Sequence, residues 1–141
     1  MYKALDLANY IVSKCIKDNT PITNLQLQRI LYFVQKDFLK RGSRAFSDDI
    51  EAWEFGPVVP NVYFYFCGFG AMSISISRDV VPNLASDKSI IDNIVEAKRN
   101  LTPWTIAKET HKGAWPKVYN NGKGNQSIIP VDLIKELDCK L

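Results

Sequence analysis

The sequence predicts a mainly helical α+β fold: a single compact helical domain of five to six helices with a small two-stranded β-ribbon. Apolar residues recur at three- to four-residue spacing through most of the chain, which is typical of one-sided helices. Strict alternation is confined to two short segments, 50–55 and 73–77, which are the candidate strands. The 141 residues include 46% hydrophobic residues and no linker-like stretch, so we expect residues 1–141 to share one core.

Two helices are predicted before residue 43. The first covers about 2–17. The second begins at Thr23, whose spacing of three residues from Gln26 is typical of a capping box, and ends before Gly42, a residue suited to the turn after a helix. This second helix has a basic face that we expect to point into solvent. Its residues are Arg29, Lys36 and Lys40.

The rest of the chain alternates short helices with turns. Polar residues at 120–125 predict a loop. Because two strands alone are marginally stable, we expect the ribbon to lie on the helices. The further helices are predicted at 60–66, 87–99, 102–111 and 130–137, with a short helix or a turn at 114–119.

Composition excludes several classes of protein. The net charge of +3 is small for a domain that coats nucleic acid. The longest uncharged stretch, 55–77, contains prolines and glycines and so predicts no membrane span. Three widely spaced cysteines and one histidine cannot supply a zinc site, so we expect free thiols, no metal, no cofactor and a cytoplasmic location. The cysteines are Cys15, Cys67 and Cys139.

The residue types that carry catalysis are also missing. The single histidine, His111, has no nucleophile motif beside it, and neither a phosphate-binding loop nor a dinucleotide fingerprint is present. We therefore expect no enzyme activity and a structural role for His111. An acidic cluster is best explained as a solvated edge, with a partner-binding patch as the alternative. It consists of Asp48, Asp49, Glu51 and Glu54.

An aromatic run at 62–67 has three interpretations. Five large residues in succession cannot all face one core from a helix, because successive residues lie about 100° apart. Core packing on several sides is the first interpretation, and an exposed aromatic anchor for a protein partner is the second. A base-stacking platform for single-stranded nucleic acid is the weakest, because no Lys or Arg lies between Arg44 and Arg78 to hold phosphates.

Two sequence blocks carry a family resemblance. LQLQRILYFVQ at 25–35 is followed by IEAWEFGPVVPNVY at 50–63, and Thr110-His111 precedes Trp115. In this order the blocks resemble the Panacea domain, the family of SocA-like and GepA-like phage-associated proteins that also includes prophage-encoded members. The resemblance covers 23–119. The positions that match the family motifs are Gln28, Trp53, Glu54, Gly56, Pro57, His111 and Trp115.

The resemblance implies an antitoxin in a toxin–antitoxin pair. Such a protein neutralises a cognate protein toxin by direct binding, without enzyme activity. One alternative is a proteolytic adaptor that delivers the toxin to a cytosolic protease. A nucleic-acid-binding regulator is the other alternative: the basic face of the second helix and the positive net charge keep it open, although +3 is small for a domain that coats nucleic acid.

We expect a partner to contact the second helix and the aromatic run. Tyrosines combine a large apolar area with a polar tip, which suits interfaces. Trp53, Gly56 and Pro57 are instead expected to be architectural, as a packed indole and a fixed turn. The expected contact residues are Tyr32, Lys36, Glu54, Tyr63 and Tyr65.

Overall fold

The computed structural model describes residues 1–78, 82–101 and 112–139. Within these ranges it has six α-helices and three short strands, which confirms the mainly helical α+β class. The helix predicted at 102–111 lies outside the described residues. In chain order the elements are α1 (Ala4–Lys17), α2 (Asn24–Lys40), β1 (Glu51–Trp53), β2 (Gly56–Val58), α3 (Pro60–Tyr65), α4 (Asp87–Lys98), α5 (Ala114–Tyr119), β3 (Ser127–Ile128) and α6 (Val131–Asp138).

Helix α2 is the centre of the fold. Its capping box is formed as predicted: the Thr23 hydroxyl accepts a hydrogen bond from the Gln26 amide at 3.2 Å, and the Gln26 side chain accepts one from the Thr23 amide at 2.8 Å. After the helix, Gly42 adopts a φ of +93°, as its position predicts. α2 packs against α1, α3, α4, α6 and β2, so residues on nearly all of its faces are buried.

One hydrophobic core joins the helices. Aliphatic side chains dominate it, and each contributes about 1.5–3 kcal/mol when fully buried. Helix α2 supplies more of them than any neighbouring element, which explains why it is buried along most of its length. The largest aliphatic side chains that are fully buried are Leu7, Ile11, Ile22, Leu27, Ile30, Leu31, Ile74, Ile91 and Ile129.

The sheet has three antiparallel strands in the order β2-β1-β3, and this corrects the predicted two-stranded ribbon. β1 pairs with β2 through a tight turn at Glu54-Phe55, and with β3 from much later in the chain. The Gln126 amide donates a 2.7 Å hydrogen bond to the Ala52 carbonyl, and the Ile129 amide donates a 2.7 Å hydrogen bond to the Ile50 carbonyl. Neither residue of β3 is buried, so the strand has no hydrophobic pattern that could have predicted it.

The segment 73–77 does not join the sheet. Among the described residues, its one bridge to another extended segment is the isolated bridge between Thr23 and Ser73. Ile74 is buried and donates its amide to the Ile22 carbonyl at 2.8 Å, whereas Ile76 is 72% exposed. Alternation therefore failed as a strand signal because only one of the two isoleucines has a core to enter.

The thiols are free, as expected. Cys15 is buried, Cys139 is half-buried and Cys67 is exposed. Burial raises the pKa of the Cys15 thiol. Over residues 1–78, 82–101 and 112–139, no three metal-binding side chains come together. None of the helices in those same ranges is long and apolar enough to cross a membrane.

An ion-pair cluster links the C-terminal ends of α1 and α4. Asp18 accepts a hydrogen bond from Arg99 Nη1 at 2.7 Å and one from Lys14 Nζ at 2.9 Å. The Arg99 bond, and then the Lys14 bond, hold the pKa of the Asp18 carboxyl below its ordinary value. The ionised carboxylate therefore stabilises the contact between the two helices.

This contact predicts a pH-dependent contribution to stability. Because the folded-state pKa of Asp18 lies below its unfolded value, the contribution is fully present above about pH 4 and disappears as the pH falls through the folded-state pKa. We expect the urea midpoint of the wild type to exceed that of Asp18→Asn at neutral pH, and this gap to close on acidification. Glu136→Gln, at an exposed carboxylate, serves as the control. A gap that is the same at all pH values would contradict the assignment.

Candidate partner-binding surface

A buried polar chain fixes the segment that leads from β2 into α3. Gln28 Oε1 accepts a hydrogen bond from the Val59 amide at 2.9 Å, and Gln28 Nε2 donates to Asn24 Oδ1 at 3.0 Å. Asn24 Nδ2 in turn donates to the Tyr63 carbonyl at 3.0 Å. Because these groups are buried and paired, they hold α3 at a set position relative to α2.

Arg29 is buried rather than solvent-facing, and the prediction for it was wrong. Its Nη1 donates to the Pro57 carbonyl at 3.2 Å, and the guanidinium lies against Gly56, which has a φ of +124°. Removal from water lowers the pKa of Arg29 to about 10, so the side chain remains charged at neutral pH. Gly56 and Pro57 are both buried in β2, in the architectural role expected of them.

Trp115 supports the other side of the hairpin. Its Nε1 donates to the Trp53 carbonyl at 2.7 Å, and its ring stacks on Tyr119 with centroids 4.8 Å apart. The side chain is buried. Thus Trp115 fixes the end of β1. Thr110 and His111, the other two residues of this C-terminal motif, lie outside the described residues.

Tyr32 is only 3% exposed, so the prediction that it lies on the surface was wrong. Its hydroxyl donates to Asp138 Oδ2 at 2.6 Å, and the same oxygen accepts from the Ala114 amide at 3.2 Å. Burial and the neighbouring Asp138 raise the pKa of Tyr32 far above its ordinary value. Tyr32 therefore joins α2, α5 and α6 inside the fold.

Replacing Tyr32 with phenylalanine tests this internal role. We expect Tyr32→Phe to lower the free energy of unfolding by about 1–2 kcal/mol, because the Asp138 carboxylate loses a donor in a partly buried site. Binding of a partner should be unchanged. Tyr65→Phe, at an exposed tyrosine, should change stability by less than about 0.5 kcal/mol. Chemical denaturation measures both, and equal losses would contradict the assignment.

The aromatic run is divided between core and surface by the geometry of α3. Val62 and Phe66, one helical turn apart, are buried. Between them Tyr63 is half-buried, Phe64 is 61% exposed and Tyr65 is 42% exposed. The core interpretation therefore applies to Val62 and Phe66, whereas for the exposed residues of the run the partner interpretation stays a prediction.

Four rings from the hairpin and α3 form one cluster, which we name the aromatic surface: Trp53, Phe55, Tyr63 and Phe64. Trp53 is central, with ring centroids 5.0 Å from Tyr63, 5.8 Å from Phe64 and 5.9 Å from Phe55. The Trp53–Tyr63 and Trp53–Phe55 pairs are edge-on, an arrangement that aromatic pairs prefer. Trp53 is half-buried, so it is both an architectural and a surface residue.

Phe55 and Phe64 were not among the predicted contact residues. Phe55 follows Trp53 by two positions in the segment predicted as a strand, where such side chains share a face, so this spacing was a usable signal although Phe55 lies in the turn after β1. Phe64 could not be oriented without knowing that Val62 and Phe66 are the buried pair. The surface position of Phe64 therefore depends on tertiary packing.

The other predicted contact residues lie in different places. Glu54 is exposed at the hairpin turn, beside the aromatic surface. Tyr65 is exposed, with the Arg78 guanidinium 6.0 Å from the centre of its ring. Lys36 is half-buried on the C-terminal half of α2. The structure thus joins Tyr63 to the aromatic surface, with Glu54 beside it, and places Lys36 elsewhere.

The acidic cluster does not converge into a site. Asp48 accepts hydrogen bonds at 3.0 Å from the Ala4 amide, at the start of α1, and from Asn61 Nδ2. Glu51 accepts from Trp53 Nε1 at 2.9 Å. Two of the four carboxylates therefore serve local structure, and Glu51 also orients the central indole of the aromatic surface.

Comparison with known proteins places this architecture in a family. The family model described as antitoxin SocA-like, Panacea domain, matches residues 27–116, which include β1, β2, α3 and most of α2. The chain is also similar to the protein named antitoxin SocA of Caulobacter vibrioides, with 38% identity over 82 residues. That match covers 55% of this chain and 44% of the relative, so the chain spans less than half of the relative's length. No solved structure matches. The chain belongs to the antitoxin SocA-like, Panacea domain family.

Proposed function

We propose that this protein is an antitoxin that binds a cognate protein toxin through the aromatic surface. The family and the antitoxin named among its relatives support a toxin as the partner. The observation that supports this binding site is the cluster of partly exposed rings around Trp53, with Phe64 as its exposed member, since aromatic side chains dominate the energetics of protein interfaces.

The aromatic surface is pre-organised for binding. Gln28 fixes the entry into α3, Arg29 fixes β2, and Trp115 fixes the end of β1. The rings therefore stand on a scaffold that needs little ordering when a partner binds, which reduces the entropic cost of association. Covering an exposed phenylalanine such as Phe64 contributes about 2 kcal/mol to binding.

The charge around the rings favours a protein over a nucleic acid. Glu51 and Glu54 lie on the hairpin beside Trp53, and carboxylates repel a phosphate backbone. Stacking platforms for single-stranded nucleic acid pair their aromatic rings with basic side chains. Arg29 lies against the hairpin and was predicted to face solvent, but it is buried and hydrogen-bonded to the Pro57 carbonyl. It is therefore not available to hold a phosphate.

Co-expression with the product of the neighbouring gene tests the proposal. We expect that product to arrest growth when expressed alone, growth to be restored when this chain is present, and the two proteins to co-elute in size-exclusion chromatography. Loss of the neighbouring protein in the presence of a cytosolic protease, without a stable complex, would favour the adaptor alternative. Recovery of nuclease-sensitive material would favour the nucleic-acid alternative.

A further inference from the structure

The face of β1 that carries Trp53 continues onto β3. Glu51 and Trp53 are two positions apart on β1 and share a face, and Trp53 Nε1 donates a 2.9 Å hydrogen bond to Glu51 Oε1. The pairing register sets Ile128 directly opposite Glu51, and directly opposite residues of an antiparallel pair point to the same face. Ile128 is 52% exposed. Glu51 therefore lies between two apolar groups, the Trp53 indole along its own strand and Ile128 across the pair.

Glu51 keeps hydrogen-bonding capacity after its bond to the indole. A carboxylate offers about four acceptor positions on two oxygens, and Trp53 Nε1 occupies one of them at Oε1. The ion pairs of residues 1–78, 82–101 and 112–139 lie elsewhere, so within these ranges neither Glu51 nor Glu54 has a cationic partner. Residues 45–77 contain no Lys or Arg. Two carboxylates without a cationic partner therefore lie beside the aromatic surface.

This local negative charge favours a basic side chain on the partner, although the chain as a whole has a net charge of +3. Exposed charges more than about 8 Å apart are largely screened at physiological ionic strength, so the carboxylates at the interface outweigh distant lysines. Complementary charges also fix the orientation of a partner on an interface. The face around Glu51 is therefore suited to a cation rather than to another carboxylate.

Among basic side chains, arginine fits this face best. A guanidinium stacks on aromatic rings and binds a carboxylate through two parallel N–H groups, whereas the ammonium of lysine is a compact and strongly hydrated charge. The aliphatic stem of an arginine also covers apolar surface, which Ile128 supplies next to Glu51. Arginine and aromatic residues are the side chains most enriched at the energetic centres of protein interfaces.

We propose that the partner covers the aromatic surface with an arginine that binds the Glu51 carboxylate and lies against the Trp53 ring. Apolar residues beside that arginine cover Phe64 and Ile128. This inference rests on the proposed antitoxin function and adds the chemistry of the toxin: its contacting segment is basic and partly apolar. It also extends the interface from the hairpin and α3 onto β3.

Removing the charge of Glu51 tests the inference. In Glu51→Gln the amide oxygen still accepts the hydrogen bond from Trp53 Nε1, so the ring should keep its orientation. Glu136→Gln is the matched control: it makes the same change at an exposed carboxylate on α6, and both variants raise the net charge by the same amount. Ile128→Ala tests the extension onto β3. Its control is Ile76→Ala, at a side chain that is 72% exposed and lies outside the sheet.

The readout is the affinity for the purified neighbouring protein, measured by isothermal titration calorimetry over a range of salt concentrations. We expect Glu51→Gln to bind about tenfold more weakly at low salt, and this difference to shrink as salt is added, because salt screens the attraction between charges. Ile128→Ala should bind about fivefold more weakly. Both controls should stay within about twofold of the wild type.

The salt dependence separates a partner contact from a structural role of Glu51, which would weaken binding by the same factor at every salt concentration. If a complex forms and Glu51→Gln binds as Glu136→Gln does, or its loss of affinity is independent of salt, the inference is overturned and the proposed function stands. Equal affinities of the two alanine variants would overturn the extension of the interface onto β3.

A second measurement covers the case in which no complex forms and the proposed function fails. The probe is a fluorescein-labelled peptide of alternating arginine and leucine residues, and the readout is fluorescence anisotropy. Binding that is weakened in Glu51→Gln and in Phe64→Ala but kept in Glu136→Gln supports an arginine site on the aromatic surface. No binding of the peptide, or equal binding of a peptide in which glutamate replaces arginine, overturns it.

Discussion

Gly56→Ala is expected to lower the free energy of unfolding by about 4 kcal/mol, a large fraction of the stability of a domain this size. Gly56 has a φ of +124°, a conformation that costs about 1–3 kcal/mol for a residue with a Cβ. That Cβ would lie 2.6 Å from Arg29 Cζ, well inside van der Waals contact. The guanidinium would have to move and lose its bond to Pro57, which leaves a buried charge less well paired.

Gly68→Ala is the matched control for this substitution. No atom lies within 4 Å of the position that its Cβ would take, and its φ is not positive. We expect the stability of Gly68→Ala to stay within about 0.5 kcal/mol of the wild type in urea denaturation. A loss at Gly56 no larger than at Gly68 would contradict the close packing of Arg29 beneath the hairpin.

A double-mutant cycle separates the two causes of the Gly56 effect. If contact with the guanidinium accounts for part of it, Gly56→Ala should cost less in an Arg29→Ala background than in the wild type. The remaining loss then reports the backbone strain at φ +124°. Additive losses of unfolding free energy would show that Arg29 moves aside without loss of stability. The whole effect of Gly56→Ala would then come from backbone strain at Gly56.

Local sequence signals predicted α2 well because they act within a few residues. The capping box at Thr23 and Gln26, and the positive φ of Gly42, are both set by the chain's immediate neighbours. Helix periodicity likewise predicted the apolar stripe of α2, since the spacing of Leu27, Ile30 and Leu31 does not depend on which element covers them.

Burial of polar residues on α2 could not be predicted in this way. Arg29 is covered by a hairpin that follows it by almost thirty residues, and Tyr32 is bonded to Asp138 at the other end of the chain. The periodic pattern of α2 places Arg29 on the solvent side, because it takes no account of Gly56, which lies far along the chain and leaves space for the guanidinium. Gln28, by contrast, was found through its position in a family motif, and its bonds to Asn24 and Val59 give the physical reason.

Strand pairing in the sheet could not be predicted from the local sequence either. β1 was predicted from its alternation, but its partners were not: β2 contains Pro57, a residue typical of turns, and β3 has only exposed side chains. Strand pairing at such positions is decided by backbone hydrogen bonds that bring distant segments together. The predicted strand at 73–77 had the better pattern but, within the part of the chain that the structure describes, it pairs with another segment only at the isolated bridge between Thr23 and Ser73.

Phe64→Ala is expected to weaken binding of the proposed toxin partner about 30-fold, which corresponds to about 2 kcal/mol. Phe64 is the most exposed aromatic side chain of the run at 62–67, and its ring packs on both Trp53 and Tyr63. Truncation removes the apolar area that a partner would cover and leaves the neighbouring rings less well supported. Because the side chain is 61% exposed, the free protein should lose less than about 1 kcal/mol of stability.

Met72→Ala is the matched control for Phe64→Ala. Met72 is 74% exposed and is of similar size, but it lies outside the aromatic surface. In isothermal titration calorimetry with the purified neighbouring protein, we expect Met72→Ala to bind within about twofold of the wild type. If the two variants lose affinity equally, or if Phe64→Ala binds as the wild type does, the toxin occupies another face. A selective loss at Phe64 would instead place the toxin on the hairpin and α3, where Gln28, Arg29 and Trp115 hold the rings in position.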